Sequence, residues 1–123
     1  MSLNTFFLIR AIVALVFGVS LTLAPSFMMS FYGLTAGPVG LLLTRELGGV
    51  LIGIGLLCLS VRAVTDHQAL KSITLGFFAI DAIGFIIALA GQFGPAASAM
   101  SWMNVVIWLL LALGFAYFRF IKL

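Results

Sequence analysis

Between Leu3 and Ala24 the sequence offers a single charge, Arg10, and three further stretches, 41–63, 70–90 and 101–121, are nearly as apolar. A helix needs about 20 predominantly apolar residues to cross a bilayer, and each stretch supplies that length. No other feature restricts the fold as strongly. Lipid gives a bare backbone nothing to hydrogen-bond with, so a spanning segment must be a helix or part of a closed barrel, and four strands cannot close one. The sequence therefore predicts an all-α, polytopic membrane protein: one domain over 1–123 with four transmembrane helices in a bundle. Composition agrees, because 7% of the residues are charged against about 25% in a soluble domain. Such a chain cannot cover a water-facing surface.

The breaks between spans have turn chemistry. PSFMMSFYGLTAGPVG holds two prolines and three glycines, RAVTDHQALK is the one hydrophilic loop, and GQFGPAASAM carries the breaker Gly94-Pro95. Pro25-Ser26 reads as the start of a short interfacial helix that offers Phe27, Met28, Phe31 and Tyr32 to lipid and ends at Gly33. The first span lacks a basic stretch before its apolar run, and cleavage after Ala24 would leave Pro25 at the new terminus, so it reads as an uncleaved helix rather than a signal peptide.

Charge placement gives direction. Arg10, Arg62, Lys71, Arg119 and Lys122 fall on one side if both termini and the middle loop share it, and only Arg45 falls toward the other. The positive-inside rule then puts both termini in the cytoplasm and the chain in the inner (cytoplasmic) membrane. Tyr32 and Trp102 would mark the outer interface and Tyr117 the inner one. The net charge of +3 is spread over few groups, with no basic run to suggest nucleic acid.

One carboxylate breaks the third span. Asp81 sits in GFFAIDAIGF, and its neighbourhood matches the first span: FFLIRAI (6–12) and FFAIDAI (77–83) share five of seven residues, with Arg10 in one where Asp81 stands in the other. The same offset aligns Met29-Ser30-Phe31 with Met100-Ser101-Trp102, whereas the second helices do not align. The pattern suggests two duplicated helical hairpins related by an axis along the membrane normal. It would put Arg10 and Asp81 at matching depths, where an ion pair is natural. The other reading stays open: Arg10 reaching the inner headgroups and Asp81 carrying a proton.

Small and polar residues fall on stripes that favour close helix contact. Arg10, Ala14, Gly18 and Thr22 make one. Arg45, Gly49, Gly53 and Leu57 make another, with Glu46 and Gly48 beside it. Thr74, Asp81, Gly84 and Ala88 share a face, as do Asn104, Trp108 and Ala112. The candidate ligand-binding or intramembrane polar network is thus Arg10, Arg45, Glu46, Asp81 and Asn104. Arg45 and Glu46 stand near the outer end of their span, where they serve either this network or the headgroups.

Familiar catalytic signatures are absent: no H-E-x-x-H, G-x-S-x-G, phosphate-binding loop or C-x-x-C. Cys58 is the sole cysteine and His67, in the hydrophilic loop, the sole histidine, so no Cys/His metal cluster can form within one chain. Cys58 reads as a small buried hydrophobe. The expectation is a non-enzymatic protein with no cofactor.

LIRAIVALVFGVSLTLAP, SFMMSFYGL and TRELGGVLIGIGLLCLSVRA together resemble the small four-helix bacterial membrane proteins of the DoxX-like type. The matching positions are Arg10 early in the first helix, Pro25 and Tyr32-Gly33 after it, and Arg45 with Gly48-Gly49 entering the second. The resemblance implies a four-helix membrane protein, and for some members an association with quinol oxidases or thiol oxidation. Small multidrug transporters have a similar length, but they carry a central Glu in the first helix where this chain has Arg10. The function expected is binding or moving a hydrophobic or small ionic ligand through a polar stripe inside the bundle. The alternative is an accessory membrane subunit of a larger redox complex. Lipid is the expected partner, with a homo-oligomer or a membrane complex as the assembly.

The FFLIRAI/FFAIDAI match generates a direct test. A central Asp costs about 2.5–3.5 kcal/mol on the insertion scale before any partner is counted, and removing one member of a buried pair leaves the other orphaned. Arg10→Leu and Asp81→Leu should each destabilise the detergent-solubilised protein, and the double variant should recover part of the loss. Strict additivity in the unfolding midpoints would show that the two do not pair.

Overall fold

The computed structural model describes all residues from Met1 to Leu123, and every regular element in it is helical. Four helices are long and apolar enough to cross a membrane. Helix α1 spans Leu3–Leu23, α2 Pro25–Phe31, α3 Pro38–Val61, α4 His67–Gly91 and α5 Ser101–Tyr117. The chain divides into two compact units, 1–63 and 64–123.

In the first unit, local chemistry sets every boundary. Ser2 caps α1, its Oγ accepting from the Thr5 backbone N–H at 3.2 Å. Pro25 and Pro38 occupy the first positions of α2 and α3, where the missing N–H costs nothing. Gly33 ends α2 at φ +73°. Its N–H donates to Ser30 O and that of Leu34 to Met29 O, both at 2.9 Å, which is the paired closure of a left-handed glycine cap. The short helix expected from Pro25 and Gly33 is therefore present, with Phe27 and Phe31 exposed. Tyr32 departs from expectation: it is buried rather than offered to lipid, because it is the capping residue that the turn folds inward.

Helices α1 and α3 pack antiparallel in steps of seven residues. Asn4 lies against Arg62, Ala11 against Gly55 and Gly18 against Gly48. A seven-residue step on both partners is the seam spacing of left-handed coiled helix pairs. The middle and upper levels are built from small residues, so the backbones meet. A Cβ on Gly48 would stand 2.7 Å from Gly18 O and would also strike the Thr22 hydroxyl, while one on Gly55 would meet Leu15 Cγ at 2.6 Å. At the third level a polar clamp replaces close approach: Arg62 Nε donates to Asn4 Oδ1 at 2.8 Å and Asn4 Nδ2 to Arg62 O at 3.0 Å.

The second unit uses the same step with larger side chains. Phe77 stacks on Phe115 with ring centroids 5.4 Å apart. Seven residues on, Gly84 faces the Trp108 ring so closely that a Cβ would stand 2.6 Å from Trp108 Cε3. Helix α4 begins at His67, three residues before the expected span, because Asp66 caps it by accepting from the Ala69 N–H at 2.8 Å. Beyond its far end, Gln92 reaches the start of α5. With its oxygen toward Trp102 it accepts from the indole Nε1 at 3.0 Å while its nitrogen faces Ser101 Oγ at 2.5 Å. Helix α5 widens into a π turn over Phe118–Lys122, closed by Leu123 N–H to Phe118 O at 2.8 Å. That turn sets Phe120 edge-on to Phe78, so α5 stays against α4 to its end.

The two glycine classes on α3 should separate in unfolding titrations in mixed detergent. Gly48→Ala should lose about 1–3 kcal/mol, since the new methyl meets backbone that cannot yield. Gly53→Ala, whose Cβ meets nothing within 4 Å, should be neutral or gain about 0.5–1 kcal/mol from helix propensity.

Candidate functional site

Two ionisable side chains are hidden inside these helices. Arg10 is 1% exposed and Asp81 0% exposed, and the only other buried polar side chain is Thr74, also at 0%. Arg10 belongs to the buried face of α1 with Phe7, Ala11, Ala14 and Gly18. Asp81 belongs to that of α4 with Thr74 and Phe77. Each charge lies well inside its own helix: Arg10 seven residues after Leu3, and Asp81 ten before Gly91. At a rise of about 1.5 Å per residue these are offsets of about 10 Å and 15 Å.

Burial at this level is expensive for a charge unless it is paired and hydrogen-bonded. Neither Arg10 nor Asp81 is without an interaction partner, and the same holds for Asn104. Asn104 is half-buried in the first turn of α5, three residues past Ser101. These three positions of the expected polar network thus sit on protected or partly protected surfaces.

The other two do not. Arg45 and Glu46 are exposed, and so are Gly49, Gly53 and Leu57 of the same expected stripe. The buried face of α3 is instead Gly48, Leu51, Gly55, Cys58 and Val61. At about 100° per residue the two sets point to opposite sides of the helix. The run GGVLIGIG places glycines on both sides. Only the matching small residue on α1, Gly18, decides which side packs. Arg45 and Glu46 therefore belong to the outward face of α3, seven and eight residues past Pro38, a depth from which long side chains reach the headgroups by snorkelling.

His67 is likewise not in a loop: it is the exposed first residue of α4. Cys58 is fully buried, as a small hydrophobe would be. Two features had no sequence signal. One is the Asn4–Arg62 clamp, which joins residues far apart in the chain. The other is a half-open pocket of about 240 Å³ between α2, the loop after it and the start of α3. Hydroxyls of Ser26, Ser30 and Thr35 and the apolar Met29, Leu34 and Leu41 line it. It is smaller than the roughly 300–1,000 Å³ of ordinary ligand sites and holds no charged side chain.

No family model matches the sequence, and no curated protein or solved structure matches the chain. The functional reading therefore rests on the side chains themselves. Arg10 can offer a guanidinium in the first unit, and Asp81 and Asn104 a carboxyl group and an amide in the second, in surroundings where each interaction is strengthened by the scarcity of water.

Proposed function

We propose that this small multi-pass membrane protein is non-enzymatic and binds or moves a hydrophobic or small ionic ligand, using Arg10, Asp81 and Asn104 as its polar groups. One observation carries the reading: an Arg and an Asp, each almost wholly buried in a long apolar helix. Intramembrane ionisable residues are rare because they are costly, and they mark ligand and ion pathways more often than packing. A chain that needed only stability would place Leu at both positions, since an ionisable side chain buried in an apolar helix is costly where an apolar one is not. Arg45 and Glu46 act in this reading at the headgroup level, outside the ligand site.

The resemblance to DoxX-like proteins favours a second reading, an accessory subunit of a larger redox complex. The residues that carry the resemblance have physical roles in this chain. Pro25 opens α2, Gly33 caps it and Gly48 lies against α1. Those roles suit a shared scaffold, and they suit either function.

The proposed setting is the inner membrane with both termini cytoplasmic. Arg62, Lys71, Arg119 and Lys122 all lie at helix ends that this orientation turns inward.

Native mass spectrometry of the protein released from lipid nanodiscs separates the two functions. The ligand reading expects a homo-oligomer carrying a stoichiometric small-molecule mass, and the redox reading expects stoichiometric foreign subunits. Orientation is checked by thiol labelling in a Cys58→Ser background. Ser98→Cys should react with an impermeant reagent added outside and Gln68→Cys should not; the reverse pattern would overturn the topology.

A further inference from the structure

The pocket beside the start of α3 lies outside the ligand reading and has a chemistry of its own. Hydroxyls of Ser26, Ser30 and Thr35 face a half-open space of about 240 Å³, and Leu41 of α3 forms part of its wall. On one flank of Leu41, Thr44 Oγ1 lies 3.9 Å from Sδ of Met29, which also lines the space. That contact holds α2 to this flank. Arg45 stands on the other. At about 100° per residue it returns to within about 40° of Leu41, one turn deeper, whereas Glu46 points about 140° away from Leu41. The rise from Leu41 to Arg45 is about 6 Å. Helical side chains lean toward the N-terminus of their own helix. The exposed Arg45 side chain therefore runs its aliphatic stem along Leu41 and brings its guanidinium to the open side of the pocket.

A guanidinium beside three hydroxyls is a donor set for an anion. The fork of an arginine matches two oxygens of a phosphate, and hydroxyls can serve both the phosphate and any hydroxyl beyond it. No carboxylate lines the space, so an ammonium headgroup would find no partner there. The pocket is too small for a drug-sized ligand and has room for a headgroup phosphate. Next in sequence to the lining residues, Phe27, Phe31 and Leu42 are exposed. They offer acyl chains an apolar surface, which favours a lipid phosphate over a free one. We propose that the α2–α3 pocket and Arg45 together bind the phosphodiester of an anionic, hydroxylated phospholipid headgroup of the phosphatidylglycerol type. The site lies wholly in the first unit, uses none of Arg10, Asp81 and Asn104, and stands independently of the ligand reading.

Native mass spectrometry in detergent, with phosphatidylglycerol or phosphatidylethanolamine of the same acyl chains added, tests the site. The wild-type protein should bind one phosphatidylglycerol per chain about tenfold more tightly than phosphatidylethanolamine, the size of one charge-assisted contact. Arg45→Gln should abolish that preference. Ser30→Leu, which fills the pocket from an exposed position, should weaken phosphatidylglycerol binding to a similar extent. Glu46→Gln and Lys122→Gln should not weaken it. Equal affinity for the two lipids, or a preference that survives Ser30→Leu, overturns the site. A preference lost as readily with Lys122→Gln does the same, because it reports net charge alone. Displacement by excess inorganic phosphate overturns the assignment to a lipid. The phosphatidylglycerol mass should persist in the Arg10→Leu/Asp81→Leu variant and vanish in Arg45→Gln, so this site and the ligand reading can fail separately.

Discussion

Lipid solvates neither a charge nor a peptide group, and most of this structure follows from that. The backbone must satisfy itself, which leaves helices as the one solution for spans of this length. Side chains face the same rule. Between about a sixth and a third of each span is buried, 33%, 22%, 17% and 28% in chain order, so apolar side chains cover most of every span. Apart from Arg45 and Glu46 on the outward face of α3, the charged groups sit toward helix ends or on narrow protected faces. Arg10, Thr74 and Asp81 are what those faces hide.

Because water cannot drive apolar helices together inside a bilayer, contact must come from fit. Both units solve this with the same seven-residue step and different materials. The first brings backbone to backbone at Gly18 and Gly48, then ties the opposite end with the Asn4–Arg62 clamp. The second stacks Phe77 on Phe115 and sets Gly84 beneath Trp108. Close fit at these levels holds the helix faces in fixed rotation, and that rotation keeps Arg10 and Asp81 off the lipid-facing surface.

How much of this was legible in the sequence depended on whether the signal was local. The spans, the Pro25 start and the Gly33 end of α2 could be read because each rests on one residue's backbone preference or on a run of apolar side chains. The apolar run alone puts the start of α4 at about residue 70, three residues late, because the cap at Asp66 lies outside that run, in the hydrophilic stretch before it. For Arg45 and Glu46 the sequence leaves the network and the headgroups both open, and the structure has the two exposed on α3. Glycine spacing allows two faces there, and the choice belongs to α1. Arg10 and Asp81 stood out because an isolated charge in an apolar run is costly anywhere along it. The π turn at Phe118–Lys122 had no signal at all: FRFIK contains neither proline nor glycine, and what the turn achieves, setting Phe120 edge-on to Phe78, is a tertiary contact.

The central claim is that Arg10 and Asp81 are kept for a ligand at the expense of a simpler apolar core. The most direct measurement is made on the Arg10→Leu/Asp81→Leu double variant. Helix content by circular dichroism and bound mass by native mass spectrometry would be recorded on the same nanodisc preparation. The account predicts a variant that keeps its helices and its oligomeric state but has lost the small-molecule mass. A variant that retains that mass, or one that no longer folds although both charges are gone, would contradict it.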